Sequence, residues 1–266
     1  MNTRTLEATR DGVLSELADR LRDARLQAKP ISPLRHLCEP NTATAYALQA
    51  QVAARRTGEG GRVVGRKIAM TSAAVQKQFG IEAPTSGVLF DDMLEVNGAR
   101  LRFRELVQPR IEAEVAFVLK RDLDLPCPTF LDVIGAVDYA LAAIEVADCR
   151  IEDWNVEAFD FVADNSAAGK VVLGDAPFDV RHRSLGQMGM VTEVDGETRS
   201  LGSGAACLGN PLKALWWLAR SEAPRCALRR GELVMSGSLG PAIAVKPGAC
   251  VQMTLDGLPP VRVSFQ

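Results

Sequence analysis

Histidine is almost missing from this chain: His36 and His182 are the only two in 266 residues. That scarcity argues against a Ser-His-Asp or Cys-His hydrolase. It also disfavours a zinc site, because neither histidine stands near a cysteine cluster at ligand-like spacing. No Cys-x-x-Cys pair occurs among Cys38, Cys127, Cys149, Cys207, Cys226 and Cys250, so reduced, partly buried thiols are expected. No excess of either charge exists. The 31 basic and 33 acidic residues leave a net charge of −2, which gives no electrostatic case for a nucleic-acid partner. No apolar run approaches the roughly 20 residues that span a bilayer, so no membrane segment is expected. Residues Met1 to Arg10 are polar and mixed in charge, with no apolar core of a secretory signal, and the protein is read as cytoplasmic. Internal repeats and low-complexity tracts are absent too.

What is present is a chain of ordinary soluble composition, 47% hydrophobic and 24% charged, long enough to bury a full core. Residues 5–28 read as an amphipathic helix, with Leu14, Leu17, Ala18 and Leu21 on one face and Pro30 and Pro33 beyond its end. Asn41 and Thr42 can cap a second helix that Gly58-Glu-Gly-Gly61 stops. Residues 1–60 therefore form a small N-terminal helical lobe in this reading, and 61–266 a β-rich catalytic domain, the two making one structural unit. Val63–Ala69 is strand-like, and Ser72 opens a short helix to Phe79. Short apolar strands follow at 87–90, 109–119, 137–147, 170–173, 188–194, 232–236, 242–246, 249–255 and 261–265. Two helices interrupt them, one over Phe130–Val137 and one opening at Asn210-Pro211. Many short strands with few helices indicate an α+β fold with a rolled or sandwiched sheet. Trp216 and Trp217, on the late helix, are expected in the core or at a subunit interface.

The most informative stretch is Gln108-Pro-Arg-Ile-Glu-Ala-Glu-Val-Ala-Phe-Val-Leu119. Side chains of a strand alternate, so Glu112 and Glu114 point to one face of an otherwise apolar segment. Two such anions repel each other and resist burial, and a divalent cation between them relieves both penalties. Glu145 sits in a second apolar strand, Tyr139 to Ala147. Three carboxylates on adjacent strands would make an all-oxygen site suited to Mg²⁺ or Mn²⁺. The spacing alone equally fits a solvated face of an edge strand. Lys67 follows Arg66, and alternation sends one of the pair inward and the other to water. Arg110 and Arg150 could bind a substrate carboxylate, although structural ion pairing is the expected role. Asp164 and Asn165 could simply form a turn. Ser236, Gly237 and Ser238 make a patch of small residues where the chain could approach a ligand closely.

The ordered motifs also resemble a known family. Gly65-Arg-Lys-Ile68, Thr71-Ser72, Val75-Gln-Lys-Gln-Phe-Gly80 and Gly87-Val-Leu-Phe-Asp-Asp-Met93 lead into Gln108-Pro-Arg-Ile-Glu-Ala-Glu114. Ile144-Glu-Val-Ala-Asp148, Arg150-Ile151, Asp153-Trp154, Ala163-Asp-Asn-Ser166, Leu208-Gly-Asn-Pro211 and Met235-Ser-Gly-Ser-Leu-Gly240 follow. This series is similar to the 2-keto-4-pentenoate hydratases of the fumarylacetoacetate hydrolase superfamily. The resemblance implies a metal-dependent hydratase of aromatic meta-cleavage catabolism, using Mg²⁺ or Mn²⁺. It places metal ligands at Glu112, Glu114 and Glu145, the active-site lysine at Lys67 and a linked serine at Ser166. Lys67, Ser166 and Ser238 are the expected substrate contacts. In many members Pro-Asp-Phe-Gly stands where this chain has Pro84-Thr-Ser-Gly87, so Thr85 replaces a carboxylate proposed to help move protons. A threonine hydroxyl holds water but does not ionise near neutral pH. Burial would lower the pKa of Lys67 toward the working range. Alternatives are a decarboxylase of a 2-oxo diacid such as 4-oxalocrotonate, or a catalytically silent partner subunit. The expected partners are a small 2-oxo or 2-hydroxydienoic acid, further copies of the chain in a homo-oligomer, and a pathway decarboxylase or aldolase.

Overall fold

The computed structural model describes residues 3–221 and 227–266, with side chains from residue 11 onward; Cys226 lies outside the described residues. The strands are β1 (Val63–Ala69), β2 (Thr85–Phe90), β3 (Leu94–Val96), β4 (Ala99–Leu101), β5 (Pro109–Leu119), β6 (Val137–Asp148) and β7 (Lys170–Leu173). They continue with β8 (Gly189–Val194), β9 (Glu197–Ser203), β10 (Leu233–Met235), β11 (Ile243–Ala244), β12 (Cys250–Leu255) and β13 (Val261–Phe265). The helices are α1 (Thr3–Gln27), α2 (Thr42–Gly58), α3 (Ala73–Phe79), α4 (Phe130–Ala136), α5 (Ala158–Ala163) and α6 (Pro211–Arg220).

Two sheets carry the fold. One is mixed, in the order β2-β1-β10-β5-β6-β7-β3 with β11 also on β5; the other runs β4-β13-β12-β8-β9. The α+β expectation holds in this architecture. At its centre β5 and β6 form a long antiparallel pair in register from Pro109↔Asp148 to Val118↔Tyr139. The even-numbered residues of β6 (Ala140, Ala142, Ile144, Val146) and the odd ones of β5 (Ile111, Ala113, Val115, Phe117) face the main core. Val251, Met253, Leu255, Val261, Val263 and Phe265 of the second sheet complete that core. Each such side chain contributes about 1.5–3 kcal/mol by leaving water, which fixes the register, since a one-residue slip would exchange the faces.

The face of β5 and β6 turned away from this core is therefore free to carry polar groups. On that side α1, α2 and α5 close the structure, while α4 and α6 pack against the main core. Leu14, Leu17, Ala18 and Leu21 of α1 are all buried, as their spacing requires, in a cluster with Tyr46 and Leu48 of α2 and Phe159, Phe161 and Val162 of α5. Asn41 caps α2 by accepting from the Thr44 N–H at 2.8 Å, and Asn210 caps α6 by accepting from Leu212 N at 2.9 Å, with Pro211 opening that helix.

Three strands and one helix add to the expected set: β3, β4, β9 and α5. Trp216 and Trp217 pack partly buried against the main core, with Trp216 Nε1 donating to Pro128 O at 2.9 Å. The cysteines range from buried (Cys149, Cys207) through Cys38 to exposed (Cys127, Cys250), and these five carry free thiols.

Candidate metal centre and its cavity

Glu112 and Glu145 are direct cross-strand partners, and Glu114 stands one same-face step along β5 opposite Ala143. Their carboxylate oxygens converge to within 4.8 Å of one another. Glu114 and Glu145 are fully buried and Glu112 half-buried, so the solvated edge-strand alternative is excluded. Burial, then the neighbouring Glu145, raises Glu112 to about 7, and the same causes, with Glu112 added, hold Glu114 well above the usual carboxylate range. Glu114 Oε2 accepts from the Gly237 N–H at 2.8 Å. Glu114 Oε1 and both oxygens of Glu145 lack a hydrogen-bond partner. Buried anionic oxygens without donors are costly, and a cation is the group that satisfies them without adding bulk. The donor set, all carboxylate oxygen, suits a hard divalent ion.

Gly237 is required where it is. Its φ of +96° is in the left-handed region, and a Cβ there would come within 2.6 Å of Thr71. The small-residue patch thus serves to bring a backbone N–H onto a ligand-type carboxylate. Ser238, its neighbour, lines the cavity in front of the cluster, with its hydroxyl donating to Gly240 O at 2.7 Å.

Lys67 reaches the same cluster from β1, two strands away. Its Nζ is 3.1 Å from Glu145 Oε1 and donates to Ser166 O at 2.8 Å. The Glu145 contact is a buried ion pair. Although desolvation by burial acts to lower the Lys67 pKa, the charges of Glu145, Glu112 and Glu114 outweigh it and raise it. This reverses the expectation of a lysine lowered toward neutrality: three acids within reach keep it an ammonium.

Ser166 meets Lys67 through its main-chain carbonyl; its hydroxyl donates to Ser86 O at 3.0 Å and lies 3.1 Å from Thr85 Oγ1. Thr85 and Ser166 are buried behind the cavity wall rather than in its lining. The carbonyl points at Lys67 because Asn165, Ser166 and Ala167 all take left-handed φ, 53°, 49° and 55°. Strain of this kind persists only where the surroundings impose it. Here Asn165 Oδ1 accepts from Val88 N at 2.7 Å and Nδ2 donates to Val88 O at 2.9 Å, so its amide pairs with β2 as a strand would. Arg150 ties down the turn from the other side through Asp164 and the Ala168 carbonyl. Asp164 and Asn165 are thus anchors of the lysine's acceptor, a role that turn propensity alone does not disclose. Arg150 pairs structurally, as expected. Arg110 does not: it has no ion-pair partner among the described residues, and its guanidinium lies 4.2 Å from the centroid of Trp154. Structural ion pairing is therefore corrected for Arg110.

A cavity of about 460 Å³ opens in front of the cluster. Lys67, Arg110 and Glu112 are its charged lining; Met70, Val75, Phe79, Trp154, Phe161 and Pro241 supply much of its apolar wall. Such a site can seat a small organic anion with one polar end at the carboxylate cluster and an apolar remainder.

Comparison with known proteins places this geometry. Residues 63–266 match the family model for the fumarylacetoacetate (FAA) hydrolase C-terminal domain. A 2-keto-4-pentenoate hydratase of Burkholderia vietnamiensis is 46% identical over 257 residues, 96% of this chain and 98% of that protein. Among solved structures, 4-oxalocrotonate decarboxylase from Pseudomonas putida G7, complexed with magnesium and adipate, is 30% identical with a TM-score of 0.92. That likeness covers 100% of this chain and 99% of the decarboxylase. The fumarylpyruvate hydrolase of Pseudomonas aeruginosa, in complex with Mn²⁺ and pyruvate, shares the fold at 16% identity and a TM-score of 0.61, over 75% of this chain and 88% of that one.

Proposed function

The chain belongs to the fumarylacetoacetate hydrolase family, and we propose that it is a hydratase that adds water to 2-hydroxypenta-2,4-dienoate, the enol of 2-keto-4-pentenoate, to give 4-hydroxy-2-oxopentanoate. The observation that carries this reading is the buried cluster of Glu112, Glu114 and Glu145 with its unpartnered oxygens, facing a cavity that Lys67 also lines. The near-full-length likeness to a hydratase at 46% identity supports it.

Glu112, Glu114 and Glu145 would hold Mg²⁺ or Mn²⁺, which would supply Lewis-acid stabilisation of negative charge at the C2 oxygen. The rest falls to the chain's own side chains. Proton addition at C5, with loss of the C2 hydroxyl proton, gives an unsaturated 2-keto acid that is electrophilic at C4. Water adds its oxygen to C4, and C3 takes up a proton. Lys67 donates to Ser166 O and ion-pairs with Glu145 at the edge of the cavity, which leaves it an N–H direction toward the substrate for a proton moved at C5 or C3. Thr85 and Ser166 hold each other and Ser86 O, and so fix the carbonyl that aims Lys67. The apolar wall gives the diene a nonpolar seat.

A second reading is decarboxylation of a 2-oxo diacid, favoured by the likeness to 4-oxalocrotonate decarboxylase and ranked behind because that identity is 30%. The test is turnover of 2-hydroxypenta-2,4-dienoate and of 4-oxalocrotonate by the purified chain, with Mg²⁺ and with chelator. Metal-dependent hydration supports the first reading; CO₂ release from the diacid alone supports the second. No turnover of either by the metal-loaded protein leaves the silent-subunit alternative. We also propose that the chain assembles with copies of itself, which would cover the exposed Leu131, Val96 and Leu201 (78%, 75% and 63% accessible).

A further inference from the structure

Of the cationic side chains lining the cavity, Lys67 is committed to Glu145 and to Ser166 O, whereas Arg110 has neither ion pair nor side-chain hydrogen bond among the described residues. It stands two residues before Glu112 on the same face of β5, about 6.6 Å along the strand. What holds it is Trp154, whose ring packs 4.2 Å from the guanidinium carbon. That ring is itself fixed: its Nε1 donates to Gln108 O at 3.0 Å, and Gln108 Oε1 accepts from Asp153 N at 2.8 Å. Gln108 Nε2 in turn donates to the carbonyls of Cys149 and Ile151 at 3.0 and 2.7 Å. Asp153 and Trp154 both take left-handed φ (56° and 55°) within this braced turn. A non-glycine pair in that region is a cost the fold sustains in order to set the indole where it is.

Held over the ring with no hydrogen-bond partner among the described residues, the guanidinium keeps its N–H groups unspent, in the fork geometry that matches a carboxylate. We propose that Arg110 binds the C1 carboxylate of the substrate, with Trp154 as its positioning residue. The inference rests on the 2-oxo-acid hydratase reading and deepens it. A five-carbon acid anchored at Arg110 lays its C2 oxygen against the Glu112, Glu114 and Glu145 cluster and its C4–C5 end toward Lys67. Arg110 thereby takes the carboxylate, and Lys67 is left for proton transfer. The enzyme can then tell a dienoate from the corresponding amide or aldehyde by a contact it makes before any chemistry.

The test compares the Arg110→Met and Arg110→Lys variants with the natural protein, each loaded with Mg²⁺ and checked for an unchanged melting temperature and Mg²⁺ affinity. Arg110→Met raises KM for 2-hydroxypenta-2,4-dienoate about 30-fold or more with a smaller change in kcat, and Arg110→Lys recovers part of the loss. The natural protein discriminates against 2-hydroxypenta-2,4-dienamide, and Arg110→Met loses that discrimination. Trp154→Leu gives the same KM effect in weaker form. Calorimetric binding of pyruvate to the Mg²⁺-loaded proteins reads the contact without turnover, so a failed hydratase assay leaves this arm intact. Unchanged pyruvate affinity in Arg110→Met overturns the proposal. So does an equal loss for acid and amide, which marks a purely structural role, or a loss confined to 4-oxalocrotonate, which assigns Arg110 to a distal carboxylate.

Discussion

Glu112, Glu114 and Glu145 each offer oxygens to one point, and single Glu→Gln changes keep the shape while removing the charge. Each variant is expected to lose divalent-ion affinity by tenfold or more, on the order of 1.4 kcal/mol at least, and to lose turnover, while folding normally. Calorimetric Mg²⁺ titration beside steady-state kinetics checks this, and retained affinity in all three would remove the metal centre. Lys67→Met acts differently, because the lysine contacts Glu145 without itself supplying an oxygen to the ion. It should cut kcat by about 100-fold or more while Mg²⁺ still binds, whereas Thr85→Ala lowers activity only a few-fold, since Ser86 O still holds the Ser166 hydroxyl. Near-natural kcat in Lys67→Met refutes proton transfer by this residue. The spacing of Glu112 and Glu114 was legible in the sequence because a strand has a two-residue period. That Lys67 remains protonated was not, because it depends on how many acids the tertiary fold brings to one nitrogen.

At the scale of elements, strands with clear alternation were legible: β5, β6, β12 and β13 emerge at or within a residue or so of their expected bounds. β9 was not, since Glu-Thr-Arg-Ser-Leu-Gly-Ser is largely exposed and carries no apolar rhythm. β3 and β4 have three residues each, too few for a period, and α5 reads Ala-Phe-Asp-Phe-Val-Ala, an alternation that looks like a strand but is buried on all sides as a six-residue helix. The meeting of β2 with the Asn165–Ala167 turn explains Gly87: a Cβ there would lie 2.3 Å from Asn165 O. Gly87→Ala therefore pushes away the turn that carries the Ser166 carbonyl. A stability loss of about 2–3 kcal/mol by denaturant titration is expected, with a fall in kcat larger than in Thr85→Ala. Unchanged stability would show that the turn can move freely.

For the whole molecule, the raised carboxylates link folding to pH. Burial and the neighbouring Glu145 raise Glu112 to about 7 in the folded chain, against about 4.3 for an unfolded glutamate, and hold Glu114 well above the usual carboxylate range. The folded protein thus holds protons that the unfolded chain releases, a contribution present below the unfolded pKa and lost as pH rises through the folded one. With chelator present, the melting temperature should fall between about pH 5 and pH 8 from this cause, and the rise on adding Mg²⁺ should grow over the same interval. A Mg²⁺-induced shift that shrinks with rising pH contradicts the assignment. Light scattering at micromolar concentration tests self-assembly, with a monomer as the refuting result.

One strand, β5, sets Arg110, Glu112 and Glu114 at successive same-face positions while Ile111, Ala113 and Val115 face the core. Inheritance acts on such a segment unevenly. Point substitutions can retune reach, charge or affinity one residue at a time, and the rest of the face persists. A change of length cannot. Deleting Ala113 would make the two glutamates neighbours and turn one of them into the hydrocarbon interior, with no partial version of the damage. Lineages of this protein should therefore vary β5 by replacement and confine insertions and deletions to its flanking loops, such as the segment between Lys120 and Thr129.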